Sequence, residues 1–168
     1  YYILSERKQN KKIDKRAPII VGVGDLVDRS KEDGLNPQEI LAKACEHAIQ
    51  DSGIKELNKH IDYVGVVRFT VDFLTATNQS NFQYSNFPRT LANKLNVSAK
   101  NEVYAPMGGN SPQVLLEDAL VKISTGETDC ALLSGGEALQ TMIAKLKAGI
   151  SLDWLDEPGG SPEMIGNN

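Results

Sequence analysis

Glu102-Val103-Tyr104-Ala105-Pro106-Met107-Gly108-Gly109-Asn110-Ser111-Pro112 packs a short strand, a glycine turn and a helix start into eleven residues. The strand reading rests on the β-branched and aromatic residues of 102–105. The turn rests on Gly108 and Gly109, which let the chain reverse closely. Ser111 is a candidate N-cap and Pro112 a candidate first helical residue, because a hydroxyl accepts an orphan amide and proline lacks one. The helix is predicted to continue through Val114, Leu115, Ala119, Leu120 and Ile123 and to stop at Gly126. Asp129-Cys130-Ala131-Leu132-Leu133-Ser134-Gly135-Gly136-Glu137 then reads as another strand, closed by two glycines.

The same alternation extends upstream. Ala17-Pro18-Ile19-Ile20-Val21-Gly22-Val23-Gly24 is apolar and β-branched, the pattern of a strand buried on both faces. Polar, turn-rich residues 25–36 lead to Asn36-Pro37-Gln38-Glu39, which predicts a capped helix start. Ile40, Leu41, Ala44, Ala48 and Ile49 give that helix an apolar stripe, and Gly53 stops it. Ile61–Phe69 is a further strand. Thr75–Asn86 has no charged residue and reads as a loop, followed by a short helix over Phe87–Leu95. Helices between successive strands require crossover connections, so the fold class is α/β, a mostly parallel sheet with helices on both faces. After residue 138 the rhythm breaks: Met142–Leu146 is helix-like, and residues 154–162 read as loop.

The chain has 168 residues, enough for one globular domain with a core. No apolar run reaches the roughly 18 residues of a membrane span, and the first residues lack the apolar core of a secretory signal. Residues 1–16 carry six basic and two acidic side chains, a basic lead expected to be mobile. Residues 17–168 carry 12 basic and 20 acidic, a balance that argues against a nucleic-acid groove. Cys45 and Cys130 lie in apolar segments without CxxC spacing and read as buried free thiols of a reducing, cytoplasmic setting.

Several constellations invite a chemical reading. Gly22-Val23-Gly24 follows a strand, but a dinucleotide fingerprint needs glycine at position 27, where Val27 stands, and an immediate helix. Gly108-Gly109-Asn110-Ser111 is the more promising turn: amides at a helix start carry partial positive charge and suit an oxyanion, a phosphate or a nucleophile with a depressed pKa. Ser111 has no histidine near it in sequence and reads as a cap before a nucleophile. His47 and His60 form no HxxxH or HExxH pair, so no metal site is expected.

Taken in order, residues 17–26, 37–53, the Gly-Asn-Ser turn and 129–137 resemble the N-terminal half of a thiolase-superfamily protein, of the acetyl-CoA acetyltransferase-like and sterol-carrier-protein-type branch. The resemblance covers roughly residues 17–165. It implies a dimer, coenzyme A thioesters as substrates with no bound cofactor, and Claisen condensation or thiolysis, the work of an acyltransferase of lipid metabolism. The family's nucleophilic cysteine falls on Met107, and a thioether forms no acyl-enzyme. Gly108, Gly109, Asn110 and Ser111 would then bind substrate. The resemblance makes 17–138 the thiolase-like α/β domain and 139–168 the incomplete start of a loop domain, and it leaves the family's C-terminal half beyond this chain. Association with a second copy or with that missing half is expected, since an open sheet edge exposes backbone and apolar surface. The compartment is cytoplasmic, or peroxisomal or mitochondrial in a eukaryote. The alternative is a non-catalytic acyl-CoA-binding or scaffold paralogue.

Overall fold

The computed structural model describes residues 14–70, 72, 84–154 and 156–166. Nearly all of the basic lead and most of the uncharged stretch from Thr75 lie outside them. The order of regular elements is helix α1 (Pro37–Asp51), a 3₁₀ turn (Leu57–Lys59), strand β1 (Tyr63–Val67), helix α2 (Phe87–Lys94), strand β2 (Asn101–Ala105), helix α3 (Ser111–Thr125), strand β3 (Ala131–Ser134), helix α4 (Leu139–Lys147) and strand β4 (Glu163–Met164). All pairings are parallel, in the order β3-β1-β2-β4. The α/β class read from the sequence holds.

Strand side chains alternate between two layers. Val64, Val66, Tyr104 and Leu132 face a core built with Leu41 and Cys45 of α1 and Phe87 and Leu91 of α2. Phe69, Tyr84 and Phe87 stack edge-to-face in that layer, with centroids 4.7–5.8 Å apart. On the opposite face Tyr63, Val103 and Ala105 meet Leu115 and Ala119 of α3. Gly65 makes this contact possible: a Cβ there would fall 2.7 Å from Leu115 Cδ1 and 2.8 Å from the Tyr63 ring.

Asp62, just before β1, governs the N-terminal end of the sheet. Its N–H donates to the Cys130 carbonyl (3.0 Å), and its own carbonyl accepts the N–H groups of Lys100 (2.8 Å) and Asn101 (3.0 Å). Its carboxylate accepts the amides of Asp129 (3.2 Å) and Cys130 (3.1 Å). The register is Tyr63 opposite Asn101 on one side and opposite Ala131 on the other.

Three expectations are corrected. Residues 17–24 form no strand; Ile19 and Ile20 are 79% and 80% exposed, because β1 pairs directly with β2 and β3 and leaves this segment outside the ladder. Ser111 is not the cap of α3: it is the first helical residue, Asn110 precedes it, and no side chain caps the end. A strand also occurs where none was read: Glu163–Met164 pairs with Val103–Tyr104, helped by the 2.7 Å ion pair between Glu163 and Lys122 of α3. Two residues are too few to leave a periodic signal. The α1 cap and the Gly126 stop of α3, in left-handed backbone at φ +82°, match the sequence reading.

Candidate functional site

In a parallel sheet the chain leaves every strand at the same end, and ligands of such folds bind there. β2 leaves through Pro106 and Met107 into the turn that starts α3. Met107 is 45% exposed. Gly108, Gly109 and Asn110 are exposed, and Ser111 is buried. The Ser111 N–H donates to the Gly108 carbonyl (3.2 Å), and the N–H groups of Gln113 and Val114 donate to the Asn110 carbonyl (3.0 and 3.1 Å). Among the described residues no hydrogen bond uses the Gly109 or Asn110 amide. No acidic side chain sits in the first turn of α3. The helix start is thus electropositive, exposed and free of a protein cap.

The exits of β1 and β3 build a polar cluster that the sequence did not disclose. Arg68 donates its N–H to the Ala105 carbonyl (3.0 Å), and its guanidinium lies 4.7 Å from the centre of the Tyr104 ring. Arg68 Nε is 3.2 Å from the Asp72 carboxylate, which also accepts the Tyr104 hydroxyl at 2.9 Å. Burial, then the Asp72 charge, pushes the Tyr104 hydroxyl well above the ordinary tyrosine range, so it stays a donor. Past β3, the Glu137 carboxylate accepts the N–H groups of Thr70 (2.7 Å) and Ala138 (2.9 Å) and so ties the β3 exit to the β1 exit. Arg68 falls within the run 61–69 and Glu137 closes the run 129–137, both read from sequence as strand and neither as a site residue; Asp72, four residues past Arg68, carried no such reading.

Among the described residues, none of the other candidates hydrogen-bonds to 107–111 or to the Arg68–Asp72–Tyr104 cluster. His47 Nδ1 is 2.8 Å from the Asp25 carbonyl, and the His60 N–H donates to the Leu57 carbonyl. Cys45 is buried; desolvation, opposed by a Ser134 hydrogen bond and aided by Glu46, pushes its thiol up to about 11. Cys130 is half-buried and is raised by burial, then by Asp62 and Asp129. No disulfide joins them. Among the described residues no cluster of three or more His, Cys, Asp or Glu could hold a metal, and no helix is long and apolar enough to cross a membrane.

A cleft of about 840 Å³ lies elsewhere and does not include residues 107–111. It runs between segment 15–24 and β3, with α1 and α3 as its sides. The open helix start and the cleft are therefore separate features.

No family model matches the chain, and no curated protein matches it. Among solved structures it is similar to a monomeric SCP2-thiolase-like protein type 1 from Mycobacterium smegmatis. The two are 29% identical with a TM-score of 0.56, over 74% of this chain and 24% of that one. The chain thus spans about a quarter of the length of that protein. It carries part of a thiolase-like fold, that of the superfamily its sequence resembles.

Proposed function

We propose that this chain is part of a thiolase-like protein that binds acyl-coenzyme A thioesters, and that residue 107 forms no acyl-enzyme. The observation that carries the reading is the uncapped start of α3, with Gly108–Asn110 exposed at the strand-exit end of a parallel sheet. A thioester carbonyl seated on those amides is polarised without any change in the protein. Acetyl-CoA acetyltransferase-type chemistry needs a nucleophile to accept the acyl group. Met107, though exposed, offers a thioether with no proton to lose. Burial pushes the Cys45 and Cys130 thiols up, which disfavours the thiolate that would attack. Met107 therefore favours binding, in the manner of a non-catalytic paralogue, over covalent acyl transfer. Coenzyme A enters as part of the ligand and not as a resident cofactor.

Titration calorimetry with acetyl-CoA and acetoacetyl-CoA, paired with intact-mass measurement, tests this. Saturable binding of the thioester with no gain of an acyl group is the expected result. Absence of thioester binding, or an acyl adduct on Cys45 or Cys130, overturns it.

A further inference from the structure

The turn at 107–111 is braced by the segment that carries β4. This strand runs parallel to β2, with Glu163 opposite Val103 and Met164 opposite Tyr104. It therefore heads for the same exit as β2. One position on, Ile165 packs into the layer of Val103, Ala105 and Leu115. The next residue, Gly166, reaches the turn. A Cβ there would stand 3.3 Å from Pro106 Cδ and 3.3 Å from Val114 Cγ1. Pro106 precedes the turn and Val114 lies at the start of α3, so Gly166 sits against both sides of the turn at once. Its backbone is left-handed, at φ +72°, which glycine adopts without strain.

Two residues of ladder are a weak hold by themselves. Side chains supply the rest. The Glu163 carboxylate accepts from Lys122 Nζ at 2.7 Å, and Lys122 is buried. The lysine is aimed from the other side: Asp118 lies 3.4 Å from Nζ and accepts the Tyr63 hydroxyl at 2.8 Å, and Nζ stands 5.5 Å from the centre of the Tyr63 ring. Upstream, the Gly159 carbonyl accepts from the Asn86 side chain (3.4 Å) and from Arg89 (3.2 Å), and the Asp156 carboxylate accepts the Thr90 hydroxyl (2.6 Å). The segment is thus fixed at α2 and again at α3 before it meets the turn.

We propose that Glu163–Gly166 is a positioning clamp: latched to Lys122, it holds Pro106 and Val114 through Gly166 and so sets the angle at which the start of α3 faces a thioester carbonyl. The ligand in this inference rests on the thioester reading above; the clamp on the turn does not. Glu163 and Gly166 are positioning residues that act through Pro106 and Val114. A site built on a turn needs such a supporting shell, because the turn has no regular hydrogen-bond ladder of its own to fix it.

Met107→Cys supplies a reporter, since a helix start lowers the pKa of a thiol beside it. Iodoacetamide rates at position 107 are followed from neutral to alkaline pH in Met107→Cys alone and combined with Glu163→Ala or Gly166→Ala. In each double variant the thiol at 107 is expected to react roughly fivefold more slowly at neutral pH, its profile moving toward that of an ordinary thiol, while Cys45 and Cys130 keep their rates. Acetyl-CoA should bind Glu163→Ala roughly fivefold more weakly than the wild type. An unchanged profile at 107 in the double variants overturns the proposal. So does a matching rise at Cys45 and Cys130, which means general loosening, and so does an ordinary profile in Met107→Cys itself. If the wild type binds no acetyl-CoA, the thioester reading falls and the thiol profiles still decide on the clamp. If Gly166→Ala does not fold, Glu163→Ala decides alone.

Discussion

Helices α1 and α3 have the same length, 15 residues, and each has proline in its first turn, yet they begin in opposite ways. At α1 the Asn36 side chain accepts the Glu39 N–H (2.9 Å) and the Glu39 carboxylate accepts the Asn36 N–H (3.0 Å). Both orphan amides are closed locally. At α3 Asn110 sits in helical backbone, its side chain caps nothing, and the preceding glycines are exposed. The first end is spent on stability. The second is held in place by packing, through Leu115 and Ala119 against the sheet, and leaves its positive pole available. A ligand site on a helix start requires this division: the anchor lies a turn or more away from the amides on offer.

The comparison breaks first at the anchor. Leu115→Ala removes a fully packed side chain opposite Gly65 and is expected to cost about 2–5 kcal/mol in chemical denaturation. A cost under about 1 kcal/mol would show that α3 is not held by that contact. Met107→Cys sharpens the contrast at the open end. A thiol beside the start of α3 has its pKa lowered below about 8.5, so iodoacetamide should modify it roughly tenfold faster than the native thiols at neutral pH. Cys45 and Cys130, both raised, carry little thiolate there, and their modification should climb as pH rises, for Cys45 toward 11. Equal rates at pH 7 would remove the special status of residue 107. Asn36→Ala should lower stability by about 1 kcal/mol, since it opens the α1 box. Asn110→Ala should change it by less than about 0.5 kcal/mol, because no cap is lost. A larger loss at Asn110 would mean that α3 is capped after all.

Much of the fold was legible because proline, glycine and asparagine punctuate it. Asn36-Pro37 with Glu39 predicts α1, the apolar runs around Val64, Val103 and Leu132 predict the three main strands, and Gly126 predicts the stop of α3. What failed is instructive. Residues 17–24 have the composition of a buried strand, but composition does not say which edges a sheet keeps open. β4 is two residues held by an ion pair to a helix residue 41 positions away, and local sequence does not encode that. The glycine turn at Gly108–Asn110 was visible as a place where a helix begins. That its cap is missing was not, since Asn110 and Ser111 are both good capping residues and only the backbone conformation decides between them. In the Arg68–Asp72–Tyr104 cluster the first two residues are four apart, but only the pairing of β1 with β2 brings Tyr104 to them.

Asp62 has a consequence for alignment. Both inner neighbours of β1 take their starting point from this single residue, through its main chain on each side and its carboxylate on one. It serves as the zero mark of a ruler. A slip of one position at that mark would turn Val64, Val66 and their partners to the opposite layer. The alignment of the three central strands is thus concentrated in one aspartate, at the opposite end of the sheet from the strand exits.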